Sequence, residues 1–176
     1  MTAEQSSRTA HSDRTHDGGP ALLSIYLNDH LMGATGGVER IRRLARTARG
    51  TDLGAALEPV AAEIAEDRAA LLAIMRDLGL PVRRYKVVAG WAAEKAGLLK
   101  TNGRLVSRSP LSTVVELEVL GAAVEGKAAG WQVLRRLAET DGRLDAHRLD
   151  TLLERAARQR KTLEDWRVRR AVEVFG

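Results

Sequence analysis

Glu63-Ile64-Ala65-Glu66-Asp67 concentrates three carboxylates in a short helical run, and Glu118 and Glu125 interrupt a later stretch that is otherwise mostly apolar. Carboxylates on helices serve as ligands for hard cations such as iron or manganese, or as the acid and base of a proton transfer. Either use requires them to share a face. Glu63 and Asp67, at i and i+4, do so, and Asp67 falls on the apolar stripe. Glu118 and Glu125 also share a face, but seven residues separate them by roughly 10 Å along a helix axis, too far to hold one ion between them. His30, on an apolar stripe near the start of the chain, and Gln159, near its end, complete the set of candidate ligands: His30, Glu63, Asp67, Glu118, Glu125 and Gln159. The alternative reading of the same residues is structural. Glu118 and Glu125 would then mark a partly solvated seam, or pair with Arg136, Gln159 or late arginines in a buried polar network, because an unpartnered buried carboxylate is costly. His30 would be an ordinary hydrogen-bonded core histidine.

Other chemistries are poorly represented. The chain has no cysteine, which removes disulfides, thiolate metal sites and cysteine nucleophiles. No Ser, Thr or Tyr is arranged with His30 or His147 as a nucleophile and base would be, and Gly33 to Gly37 lies in a helical pattern with no preceding strand, unlike a phosphate-binding loop. Asp13 and His16 have metal-like spacing but occur in a polar segment, where solvated side chains are the simpler account. No run reaches the roughly 18 apolar residues of a membrane span, so a soluble, cytoplasmic protein without membrane contact is expected.

The net charge of +5 is unevenly spread. Arg83 to Arg108 holds seven Lys or Arg against Glu94 alone, and Arg155, Arg158, Arg160, Lys161, Arg167, Arg169 and Arg170 crowd the last helix. Such blocks could neutralise phosphates, with Arg83, Arg84 and Lys86 as the basic surface, but no nucleic-acid motif accompanies them. Aromatics for stacking on single strands are few. Nucleic acid or another polyanion is therefore a lesser expectation than a protein partner or a second copy of the chain.

These residues must be positioned by helices. At 176 residues the chain has the length of one domain, and its low aromatic content of 3% with abundant Ala, Leu and Arg leaves little strand signal. Residues 1–19 are polar and predict a disordered tail; residues 20–176 predict a single helical domain. Pro20 opens a first helix with Leu23, Leu27, Ala34, Val38, Ile41 and Leu44 at helical spacing, and Gly33, Gly36 and Gly37 would permit a neighbouring helix to approach closely. Thr51-Asp52 caps a second, carrying Leu57, Val60, Ile64, Leu71, Ile74 and Met75; Pro59 either begins it or kinks it. A connection of about 30 residues follows, with a short crossover helix expected over 84–99. Ser109-Pro110 opens a third helix bearing Val114, Leu117, Leu120, Val124, Trp131 and Leu134, with Val115, Val119 and Val133 broadening its apolar surface. Asp145 caps a fourth through Leu149, Leu152, Leu163 and Trp166.

Two helical hairpins joined by one long crossover, with acids on the second and third helices, resemble the ferritin-like four-helix bundle superfamily, in a bacterial branch suggested by Ser109-Pro110-Leu111-Ser112. The resemblance implies an all-α bundle. The superfamily's two-metal sites use a Glu from each of two helices and a Glu-x-x-His from each of the other two, yet this chain has no Glu-x-x-His, and Ala157 stands where that pattern would place His after Glu154. The expectation is a non-catalytic interaction or structural protein with a degenerate metal site and no cofactor. A metal-dependent oxidase or metal-handling protein with altered ligands, using iron or manganese, is the alternative; a basic polyanion-binding module is the third.

Overall fold

A computed structural model of the protein describes residues 18–83 and 110–176. The described residues form four helices and no strand: α1 Gly18–Thr47, α2 Asp52–Asp77, α3 Pro110–Leu137 and α4 Ala146–Phe175. The described residues thus form an all-α four-helix bundle. The expected crossover helix, together with Arg84, Lys86 and Trp91, lies outside the described residues. The first helix begins at Gly18, so Gly18 and Gly19 belong to it rather than to the polar segment before it.

Local chemistry sets the breaks. At the α1–α2 turn Gly50 has a φ of 81°, a left-handed conformation that favours glycine. Thr51 then caps α2, its Oγ1 accepting from the Gly54 amide at 3.3 Å. Gly54 is the close approach in this corner, since a Cβ there would lie 2.3 Å from the Ala48 carbonyl oxygen. Gly33 and Gly37, expected to admit a neighbouring helix, have nothing within 4 Å of where a Cβ would project. Pro59 lies inside an uninterrupted α2, on an exposed face where the carbonyl it leaves unpaired is open to water. At the end of α2, Gly79 has a φ of 71° and Leu80 N–H donates to the Met75 carbonyl. Asp145 caps α4, accepting from the Arg148 amide at 3.1 Å.

Contacts between side chains fix the helix directions. Arg68 on α2 donates to Thr35 on α1, Arg43 on α1 meets Glu116 on α3, Arg155 on α4 meets Asp67 on α2, and Arg135 on α3 meets Asp150 on α4. Together with the His30–Gly130, Arg148–Asp77 and Arg160–Glu125 contacts, they make every contacting pair of helices antiparallel. The diagonal pairs, α2 with α3 and α1 with α4, are parallel. Consequently α2 ends and α3 begins at opposite ends of the bundle. Asn28 on α1 holds the chain as it leaves α2, donating to the Pro81 carbonyl at 3.0 Å and accepting from the Arg83 amide at 2.7 Å.

The interior is two apolar clusters. One, around Ile41, Leu44, Leu57, Leu117, Leu120 and Leu163, fills the end where α1 finishes; the other, around Leu27, Leu31, Met75, Trp131, Leu134 and Leu149, fills the opposite end. Near their junction the buried residues include Asp67 and Gln159, each 1% exposed.

Two substitutions separate open from closed glycines. Gly54→Ala is expected to lower stability by roughly 1–3 kcal/mol or more, because its Cβ meets backbone that cannot yield. Gly37→Ala is expected to raise it by about 0.5–1 kcal/mol through helix propensity alone. Urea denaturation midpoints measure both, and equal effects would contradict this packing. In the α3–α4 turn, Arg143 holds the Asp141 carboxyl at about 2, below its ordinary value of 3.8, through side-chain and backbone hydrogen bonds. A carboxyl so depressed contributes stability above its ordinary value that is lost as pH falls through the lowered one. Carboxyl NMR titration should find that low midpoint and its rise toward the ordinary value in Arg143→Ala, where only the backbone amide at 143 still donates.

Candidate functional site

The bundle's interior carries an ionic cluster drawn from three helices. Asp67 and Glu63 come from α2, Gln159 and Arg155 from α4, and Lys127 from α3. Lys127 Nζ donates to Asp67 Oδ2 and to Gln159 Oε1, 2.5 Å each. The Gln159 amide donates onward to Glu63 Oε2 at 3.0 Å and to Asp67 Oδ2 at 3.1 Å. Arg155 closes the arrangement from outside, reaching Asp67 Oδ1 at 3.2 Å and Glu66 at 2.9 Å. Both oxygens of Asp67 are therefore occupied. Formal charge within the quartet of Glu63, Asp67, Lys127 and Arg155 sums to zero.

Burial is what makes this cluster consequential. The Lys127 side chain is 15% exposed against 1% for Asp67, and such a pair is held together only where hydrogen bonds satisfy the remaining donors and acceptors. Burial holds the Lys127 ammonium below the ordinary lysine range, with the Asp67 carboxylate opposing that shift.

Of the residues expected to converge, Glu63, Asp67 and Gln159 meet here. Glu118 and Glu125 do not. Their side chains are 57% and 66% exposed and sit on the outer α3–α4 seam, facing Arg167 at 3.6 Å and Arg160 at 3.5 Å. They occupy the partly solvated seam that the sequence offered, paired with late arginines, and not a buried network or an ion site, because α3 turns its Leu117, Leu120 and Val124 face inward and carries the acids to its flank. His30 is half-buried, its ring edge-on to Tyr26 at 4.4 Å and lying over Gly130, where a Cβ would come within 3.0 Å of it. Burial lowers its pKa, opposed by Asp29. By the Arg68–Thr35 register, His30 stands roughly 9 Å along the axis from the level of Asp67.

Lys127 went unrecognised in the sequence, although a signal exists. It is the one cation of α3 before Arg135, and it completes the inward series Leu120, Val124, Lys127, Trp131 and Leu134 at spacings of four and three. A lysine in such a series is a buried charge that must be partnered.

A cleft of about 430 Å³ lies between α1, α2 and α3, walled by Leu71, Leu120, Val124 and Trp131, with His30 and Lys127 at its margin. Its size is that of a small-molecule site. Its polar lining is Tyr26, Asp29 and His30 from α1, Asp67 and Arg68 from α2, and Lys127 from α3. Among the described residues no group of three or more His, Asp or Glu is arranged to hold a metal ion.

The basic last helix is largely neutralised. Arg155, Arg160, Lys161, Arg167 and Arg170 each pair with an acid, and Arg169 stacks on Trp166 at 4.5 Å. Of the proposed basic surface, Arg83 alone is described. No helix of the described residues is long and apolar enough to cross a membrane.

Removing one partner of the buried cluster should cost more than removing both. Lys127→Met is expected to lower stability by roughly 1–3 kcal/mol, because Asp67 loses its ammonium partner but keeps the Gln159 amide and Arg155, whereas Lys127→Met combined with Asp67→Leu recovers part of that loss. Glu125→Gln, at an exposed pair, should change stability by less than about 0.5 kcal/mol. Chemical denaturation of the three variants tests this, and a mild Lys127→Met would show that Lys127 is solvated.

No family model, curated protein or solved structure matches the chain.

Proposed function

We propose that this chain is a non-catalytic interaction or structural protein on a ferritin-like bundle of bacterial type, cytoplasmic and without a cofactor, whose central metal position has been taken over by a lysine. The ferritin-like assignment draws support from the helix directions: antiparallel neighbours, parallel diagonals and a single connection between opposite ends of the bundle. One observation carries the functional reading. Lys127 places its ammonium against Asp67 and Gln159, where a divalent ion would otherwise draw carboxylates together from different helices.

The described residues of the cluster do not fit a two-metal centre. Such a centre needs carboxylates and imidazoles converging from four helices around ions roughly 3.5–4 Å apart. Here the carboxylates of the cluster all come from α2, α4 contributes an amide and a guanidinium, and α3 contributes a cation. Electrostatic repulsion from Lys127 and Arg155 disfavours a divalent ion at Asp67. The oxidase alternative loses its ligand set for that reason, and the polyanion alternative is weakened by the ion pairs along α4.

Elemental analysis of protein purified without a chelator or a metal-affinity tag tests the reading. Iron and manganese should be substoichiometric, and no oxygen-dependent oxidation of ferrous iron should occur. Lys127→Glu, which places a third carboxylate beside Glu63 and Asp67, should gain manganese affinity in titration calorimetry. Two tightly held ions per wild-type chain would instead establish the enzyme reading.

A further inference from the structure

The cleft between α1, α2 and α3 is open where side chains are missing from its lining. Gly33 and Gly37 on α1 and Gly126 on α3 belong to that lining, and the place where each Cβ would project has nothing within 4 Å. Leu71, Val124, Trp131 and Leu134 are buried in its walls, which makes them apolar. At about 430 Å³ the cleft admits a small molecule. A single turn of an α-helix, roughly 11 Å across and about 5.4 Å tall, already exceeds that volume, so a partner's helix cannot lie inside it.

The polar groups of the lining are unequally committed. Lys127 and Asp67 are neutralised within the buried cluster, and His30 is held against Tyr26 and over Gly130. Arg68 is different. Its Nε donates to Thr35 Oγ1 at 2.9 Å, and among the described residues the guanidinium has no acid partner. Its terminal nitrogens remain as a pair of donors that matches the two oxygens of a carboxylate. Asp29, the remaining carboxylate of the lining, is exposed and stands six residues from Thr35 along α1, roughly 9 Å from the level of Arg68.

Helix register gives the cleft a direction. Arg68 enters at the level of Thr35, and with His30 opposite Gly130 in an antiparallel pair, Leu134 lies near the level of Tyr26. Nine residues of α1 separate these levels, roughly 13 Å, and Leu71 and Trp131 line the interval. One end offers a cation and the rest offers hydrocarbon.

We infer that the cleft binds an aliphatic monocarboxylate, its head group on the Arg68 guanidinium and its chain along Leu71 and Trp131 toward Leu134. Charge complementarity sets the head group: a cation would be repelled by Arg68, and an uncharged group would forgo the charge-assisted bonds the guanidinium can make. The length of the apolar run sets a chain of medium length. This binding activity goes beyond the interaction-protein reading and does not rest on it.

Titration calorimetry of the full-length chain with decanoate, kept below the concentration at which it forms micelles, should show one saturable site. Decanol, which keeps the chain and loses the charge, should bind about ten- to a hundredfold more weakly, and decyltrimethylammonium more weakly still. Arg68→Met should bring decanoate down to the affinity of decanol while leaving decanol unchanged, a separation that general damage to the fold does not produce. Gly33→Leu combined with Gly37→Leu, which places side chains in the open space, should abolish binding of both while helicity is retained. Equal binding of the three amphiphiles, or decanoate affinity unchanged in Arg68→Met, would reduce the site to unspecific apolar adsorption and overturn the proposal. Undiminished binding in the filled variant, or no saturable binding by the wild-type chain, would overturn it as well. None of these results depends on metal content, so failure here is distinguishable from failure of the lysine-for-metal reading.

Discussion

The contact between Lys127 and Asp67 is the constraint on which the rest of the bundle depends. An ion pair of this kind adds little net stability relative to apolar residues of the same volume, because desolvation offsets most of the attraction. What it does impose is company. Asp67 has two oxygens to satisfy and Lys127 three protons, so Gln159 is drawn from α4 with an amide that both accepts and donates, and Arg155 is drawn to the second oxygen. Three helices are thereby committed to one level, at the junction of two apolar clusters that would otherwise be interchangeable stacks of Leu and Val.

The two sides of the bundle are built differently. The α3–α4 seam is laced by Arg135–Asp150, Arg160–Glu125 and Arg167–Glu118, an orderly ladder of exposed pairs, each of which contributes little by itself. Between α1 and α3 the contacts include Arg43–Glu116 and His30 over Gly130, and the cleft opens between them. Gly33, Gly37 and Gly126 leave space there because no side chain fills it. The same small residues that suggest close helix packing in a sequence are here the reason for its absence. Among the described residues close approach at glycine occurs at Gly54 and Gly130, where backbone or a ring occupies the volume, and at Gly176 beside the Val172 carbonyl.

Much of the fold was legible because it rests on period and punctuation. The caps Thr51 and Asp145, the turn at Gly50 and the inward placement of Trp131, at 2% exposure, all follow from local sequence. The site was legible in part. Asp67 was identified because it falls on an apolar stripe, where a polar residue needs a reason, and Gln159 only because it lies at a matching level on the last helix. Glu118 and Glu125 drew attention for the wrong physical cause, since an acid interrupting an apolar run lies inward only if that part of the run is the inward face. Because α3 is apolar on two opposite sides, the stripe with Val115, Val119 and Val133 and the core with Leu117, Leu120 and Val124 read alike in the sequence, and coordinates were needed to separate them. Lys127 was hidden by the same degeneracy.

A helix apolar on two sides carries a specificity problem that the buried cluster resolves. Sliding α3 by one turn, about 5.4 Å, would place similar side chains against α4 at little cost in buried apolar area. Rotating it by half a turn would exchange its outer stripe for its core face, again with Leu, Val and Ala on offer. Hydrophobic burial alone cannot reject either alternative. Either movement, however, withdraws the Lys127 ammonium, leaving the buried Asp67 carboxylate with only the Gln159 amide and Arg155 and the Gln159 oxygen without its donor, at a cost on the order of 1–3 kcal/mol. Lys127 thus selects one register and one face from several that are nearly equivalent in apolar terms. The stripe through Val119 and Gly126 is the surface left outward by that selection, so one lysine fixes which face α3 presents.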